Sequence, residues 1–105
     1  MVIDDEEMVS AITAGYLEAA GLRVIVMSDG NTAIDRLETT SDVDLVITDL
    51  NMPSPNGWDI LPRLHGRPGI PPIMMASGYA DEETALERGA AAFLHKPFSQ
   101  AESRP

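Results

Sequence analysis

Apolar and polar positions change their period repeatedly along this chain, and each change marks a boundary between elements. Val2-Ile3 reads as the end of a buried strand. Over residues 6–20 apolar side chains recur at helical spacing, with Val9, Ile12, Tyr16 and Ala20 as the stripe, and Gly21 supplies a stop. Residues 23–27 are β-branched and strand-like. A short helix is expected over about 32–38, with Ala33, Ile34 and Leu37 on its inner side. Residues 45–48 form a continuous apolar run, as a central parallel strand should. Asn51-Met52-Pro53-Ser54-Pro55-Asn56-Gly57 is a loop by its turn chemistry, a helix of about two turns follows over 58–64, and 67–72 return to the sheet. Residues 73–76 are the fourth strand. Asp81 looks like an N-cap ahead of Glu82-Glu83, Gly89 ends that helix, and 92–94 are the fifth strand. Strand and helix alternate throughout, which calls for a parallel sheet covered on both faces. With no internal repeat, low-complexity tract or linker, residues 1–105 read as one domain.

The chemistry sits where those strands end. Asp4-Asp5 follow Val2-Ile3, Asp49 ends the third strand, Ser77 ends the fourth, and Lys96-Pro97 follow the fifth. In an open parallel α/β sheet the strand C-termini open on one edge, where ligands bind. Residues far apart in sequence would therefore meet as three carboxylates, a hydroxyl and an ammonium, a set suited to Mg²⁺ and a phosphoryl group. Each member also has a plainer reading. Asp4-Asp5 could simply favour the N-terminus of the first helix, Lys-Pro could be an ordinary turn, and Ser77 a solvent hydroxyl.

Composition narrows the classes. Seventeen acids against seven bases give a formal charge of −10, which argues against a direct nucleic-acid surface and for metal ions or basic faces of partner proteins. No apolar run approaches the roughly 20 residues needed to cross a bilayer, so no membrane role is expected. The absence of cysteine fits a cytoplasmic setting without disulfides. His65 and His95 lack partners at metal-ligand spacing. The six Met residues read as core filler, with Met52 set apart as a member of the site loop.

Taken together and in order, the segments Val2-Ile3-Asp4-Asp5-Glu6, Asp44-Leu45-Val46-Ile47-Thr48-Asp49-Leu50-Asn51-Met52-Pro53 with Gly57, Ser77-Gly78-Tyr79 and Phe93-Leu94-His95-Lys96-Pro97-Phe98 resemble the receiver domains of two-component response regulators. The likeness runs from Val2 to about Ser99 and points to chemotaxis-regulator-like receivers, including those attached to hybrid histidine kinases. It implies a flavodoxin-like, doubly wound sheet of five parallel strands in the order 2-1-3-4-5. It also implies a phosphorelay function. Asp49 would take a phosphoryl group from a phosphohistidine on a sensor histidine kinase or histidine phosphotransfer protein, switch conformation, and signal to a downstream protein partner. Asp5 and Asp49 would ligate Mg²⁺ directly, Asp4 through water, and Asn51 through its backbone carbonyl. Mg²⁺, Ser77 and Lys96 would each hold one phosphoryl oxygen. The Lys96-Pro97 bond would be cis, Phe93 would be the aromatic that swings with Ser77, and Asn51 and Tyr79 would tune phosphate lifetime. Such a domain is a switch with self-phosphorylation and slow autodephosphorylation rather than a conventional enzyme.

Three features depart from that pattern. The first strand has only Met1-Val2-Ile3 before Asp4, and the stretch between Ser77 and Gly89 is about one helical turn short, which implies a shortened fourth helix. Ser99-Gln100-Ala101-Glu102 is a capping-box pattern for a fifth helix, yet Pro105 is the last residue, so that helix is expected to be truncated or absent. The chain is thus either a single-domain regulator or a piece of a larger protein. Two other classes stay open. One is a Mg²⁺-dependent phosphohydrolase with an Asp nucleophile, which would want a second Asp where Asn51 stands. The other is a receiver-like interaction module that is not phosphorylated.

Overall fold

The structure is a computed structural model, and it describes residues 1–50, 52–77 and 82–95. The elements run β1 (Val2–Ile3), α1 (Glu7–Ala19), β2 (Val26–Met27), α2 (Gly30–Thr39), β3 (Val46–Asp49), α3 (Gly57–Leu64), β4 (Ile73–Ser77), α4 (Glu82–Glu87) and β5 (Ala92–His95). The strands form one parallel sheet in the order β2-β1-β3-β4-β5. The expected topology is therefore present. Boundaries moved where local chemistry outweighed the apolar pattern. β2 is confined to Val26–Met27, and α2 begins at Gly30 because the Asp29 carboxylate accepts hydrogen bonds from the Asn31 and Thr32 N–H groups. The expected cap at Asp81 and the expected fifth helix lie outside the described residues. α4 is short, at six residues.

Both glycine stops act as read. Gly21 and Gly89 have positive φ, and the residue after each donates its N–H to a carbonyl five residues back, Leu22 to Leu17 and Ala90 to Ala85. This double closure satisfies carbonyls that a helix end would otherwise leave open.

Side chains alternate across the strands, and the two faces are built differently. One face is a continuous apolar core in which Ile3, Val46, Ile73 and Met75 of the sheet meet Ala33, Ile34 and Leu37 of α2, Ile60, Leu61 and Leu64 of α3, and Ala85 of α4. No residue of α1 belongs to that cluster. Val2 and Ile47, the alternate positions of β1 and β3, are buried outside it, and Met74, Ala92 and Leu94 are only half-buried.

The stripe read for α1 is not its buried face. Ser10, Thr13 and Ala14 turn inward, whereas Met8, Ile12 and Tyr16 stand 79%, 50% and 42% exposed. Small and hydroxyl side chains let the helix approach the sheet. The Ser10 and Thr13 hydroxyls are accommodated there because they donate to the Glu7 and Val9 carbonyls of their own helix. The reading of the methionines needs a related correction. Met52 is buried in the main core, and the exposed exception is Met8.

Candidate functional site

Register carries the three carboxylates to one place. β1 pairs with β3 so that Ile3 lies beside Thr48, which puts the next residues, Asp4 and Asp49, at adjacent strand ends. Asp4 and Asp49 are buried and Asp5 is exposed. One carboxylate oxygen from each of Asp4, Asp5 and Asp49 lies within 4.8 Å of the others. Three anionic groups this close repel unless a cation or proton intervenes, and a hard divalent ion with oxygen ligands suits the set. The capping reading of Asp4 also holds, because its Oδ1 accepts from the Glu6 N–H at 2.9 Å. A carboxylate has lone pairs for both tasks.

Ser77 is fully buried at the end of β4. Asp49 pairs in register with Ala76, so the hydroxyl residue stands one position beyond it on the neighbouring strand. The Leu50 N–H donates to the Ala76 carbonyl at 3.1 Å and keeps the two strand ends together past the ladder. Ser77 in turn pairs with His95, the residue that precedes Lys96. Asn51, Tyr79 and Lys96, and the expected cis Lys96-Pro97 bond, lie outside the described residues. Phe93 is half-buried, packs against the main core, and pairs in register with Met75.

The loop after β3 is fastened from both ends. Gly57 opens α3 so close to β3 that an added Cβ would lie 2.5 Å from Leu50 Cδ2 and 3.2 Å from the Asp49 carbonyl oxygen. A side chain here would displace Leu50 and press on the Asp49 carbonyl, so glycine lets α3 start close beneath the site. At the same helix end Asn56 Oδ1 accepts from the Trp58 and Asp59 N–H groups, while the Asp59 carboxylate accepts from the Asn56 N–H and the Ser54 hydroxyl. This reciprocal cap holds the Asp59 carboxyl below its usual range, chiefly through the Asn56 N–H and then the Ser54 hydroxyl. The Asn56-x-x-Asp59 spacing is the sequence signal for this cap, which turn chemistry alone does not reveal.

Two further features escaped the sequence reading. His95 Nε2 lies 3.0 Å from Glu82 Oε1 and joins the end of β5 to the first residue of α4. The exposed Met8–Ile12–Tyr16 line shares only Ile12 and Tyr16 with the stripe expected from spacing, and its exposure is not legible in the sequence.

The sequence profile of the response regulator receiver domain matches residues 1–104. The chain is 35% identical over 104 residues to the transcriptional regulatory protein CpxR of Escherichia coli K12, covering 97% of this chain and 44% of that protein. It is also 35% identical over 106 residues to the alkaline phosphatase synthesis transcriptional regulatory protein PhoP of Bacillus subtilis, covering 97% of this chain and 43% of that one. The chain therefore spans less than half the length of these relatives. Among solved structures, a response regulator receiver domain protein from Clostridium thermocellum superposes with a TM-score of 0.83 at 28% identity, covering 96% of this chain and 83% of the other. The Francisella response regulator 1452 receiver domain does so with a TM-score of 0.83 at 26% identity, covering 93% and 83%. Profile, relatives and topology converge, and the chain belongs to the response regulator receiver domain family.

Proposed function

We propose that residues 1–105 are one phosphoacceptor receiver domain, in which Asp49 takes a phosphoryl group from a phosphohistidine. The observation that carries this reading is the meeting of the Asp4, Asp5 and Asp49 carboxylates within 4.8 Å, with buried Ser77 on the next strand end. An Asp49 carboxylate oxygen attacks phosphorus as the phosphorus–nitrogen bond of the donor breaks. The electron pair of that bond returns to the imidazole, and the product on the protein is an acyl phosphate. Asp4, Asp5, Asp49 and the Asn51 carbonyl would hold Mg²⁺, which offsets the charge of the carboxylates and the incoming phosphoryl group. The Ser77 hydroxyl donates to one phosphoryl oxygen and Lys96 to another, so the chain's share of catalysis is positioning and charge stabilisation. As Ser77 moves toward the phosphoryl group, Phe93 turns inward and alters the α4–β5 surface. Asn51 and Tyr79, two positions beyond Asp49 and Ser77 respectively in the sequence, tune the lifetime of the acyl phosphate.

The donor is a sensor histidine kinase or phosphotransfer protein. Support for a helical docking partner comes from the exposed Met8, Ile12 and Tyr16 line, which starts close to Asp5 on a helix that also carries the exposed acids Glu7 and Glu18. An amphipathic partner helix with an apolar stripe and basic edges complements it. Among the described residues no helix is long and apolar enough to cross a membrane, and a cytoplasmic setting accords with such partners.

Labelling with a small-molecule phosphodonor, read by intact mass, tests the reading. One phosphoryl group should appear only with Mg²⁺ present, and Asp49→Asn should abolish it while the fold persists. Equal labelling of the Asn variant would remove Asp49 from its assigned role.

A further inference from the structure

We infer that His95 and Glu82 form a pH-sensitive clasp that fastens the start of α4 to the end of β5. His95 is the last described residue of β5 and pairs in register with Ser77 on β4. Glu82 opens α4, only five positions after Ser77 in the chain. The clasp therefore ties the end of β5 to a helix start that lies close in sequence to the buried hydroxyl of the site. On its other side the His95 ring meets Phe93 edge-to-face, with ring centroids 4.9 Å apart and planes inclined at 63°. Phe93 packs against the main core. One imidazole thus touches both the helix that follows the site and the aromatic on its own strand.

The ring nitrogen and carboxylate oxygen are 3.0 Å apart, with side chains 67% and 49% exposed. Histidine is the side chain that changes charge between about pH 5 and 8. When the imidazole is protonated it donates a charge-assisted hydrogen bond to the carboxylate. When it is neutral, only a dipolar contact remains. The clasp is therefore tightest on the acidic side of neutrality and slackens as pH rises. The groups around it do not reverse that sign. On α4 the remaining charges are Glu83, Glu87 and the following Arg88, two acids and one base. Ser77 is the polar residue of β4 beside it, and Lys96, next in sequence, lies outside the described residues. The other histidine, His65, packs its ring against Gly89 past the far end of α4.

On the phosphoacceptor reading above, modification of Asp49 moves Ser77 and Phe93 and shifts the α4–β5 surface. A clasp that holds α4 on β5 before modification makes that shift harder at acidic pH, so proton concentration biases the switch without touching the acidic cluster. Because the pair is exposed, the effect is modest, roughly two- to threefold.

Amide spectra of the full chain at about pH 6 and about pH 8 test the clasp in wild type, Glu82→Gln, His95→Gln and a His65→Gln control. In wild type the first-turn amides of α4 should move with the His95 ring. Glu82→Gln should hold the α4 amides still, and His65→Gln should leave the wild-type response in place. Acetyl phosphate labelling with Mg²⁺ then reads the coupling, and the disadvantage of pH 6 against pH 8 should be roughly two- to threefold smaller in Glu82→Gln than in wild type. Unchanged pH response of the α4 amides in Glu82→Gln overturns the clasp. An unchanged labelling ratio overturns its link to the switch. Failure of labelling in every variant defeats the phosphoacceptor reading instead, while the spectra still decide the clasp.

Discussion

The two faces of this sheet solve the burial problem in opposite ways. Toward α2, α3 and α4 the strands meet a dense set of Ile, Leu, Val and Met side chains. Toward α1 they meet a helix whose buried positions are Ser10, Thr13 and Ala14, whose Val9 and Leu17 are half-buried, and whose Met8, Ile12 and Tyr16 face outward. Stability should therefore reside on the first face and recognition on the second. The acidic cluster lies where they meet, because Asp4 and Asp5 lead into α1 while Asp49 ends a strand of the main core.

The largest test of this division compares truncations on the two sides. Leu61→Ala removes a fully buried side chain from the core and should cost about 2–5 kcal/mol in urea unfolding. Ile12→Ala should stay within about 0.5 kcal/mol while slowing phosphoryl transfer from a partner protein but not from a small phosphodonor. A large unfolding cost for Ile12→Ala would show that α1 is anchored by its outer stripe and erase the distinction.

Crowding at the junction comes next. Gly57→Ala forces a Cβ against Leu50 and the Asp49 carbonyl, and should destabilise by about 1–3 kcal/mol while lowering phosphoryl labelling. Loss of stability with labelling intact would mean that the loop tolerates displacement of α3.

A bound metal would tie the α1 side to the core side. Mg²⁺ at about ten times its dissociation constant should add about 1.4 kcal/mol, a rise in melting temperature on the order of 5 °C. The gain in amide protection should be greatest at the start of α1. Asp5→Ala removes one like charge from the cluster, so it should raise the metal-free melting temperature and erase the Mg²⁺ effect. A melting temperature indifferent to Mg²⁺ in wild type would sink the metal site.

The smallest effect is acid sensitivity, and it too should divide by face. Four carboxyls held below their usual range, Asp29, Glu38, Asp42 and Asp59, all belong to α2, α3 or the segments flanking them. Their leading partners are, in that order, the Thr32 hydroxyl, Arg67, Arg36 and the Asn56 N–H. A depressed folded pKa adds stability that is complete above the unfolded pKa and is lost as pH falls through the folded one. Amide exchange should therefore show α2 and α3 weakening below the ordinary carboxylate range. Because all four groups are exposed, salt should blunt the effect. Asp29→Asn and Asp59→Asn should flatten this acid dependence, and a slope that survives both would assign it elsewhere.

The sequence alone determined the order of elements, the parallel topology and the positions of Asp4, Asp5, Asp49 and Ser77 at strand ends. These follow from local rules: apolar runs make buried strands, glycine at positive φ stops α1 and α4, and strand alternation with helices admits only a parallel sheet. What local rules could not reach was which side of a helix faces inward. Periodicity marks a stripe at Ile12 and Tyr16, but whether a stripe is buried depends on what stands opposite, and here the sheet accepts Ser10, Thr13 and Ala14. The same limit applied to Met52, whose place in the core depends on α3 starting close beneath β3 at Gly57. It applied again to His95, whose partner Glu82 lies 13 residues away and is brought near only by the pairing of β4 with β5. Spacing along the chain fixes what neighbours in sequence can do, whereas packing between elements decides which distant groups share charge, space and water.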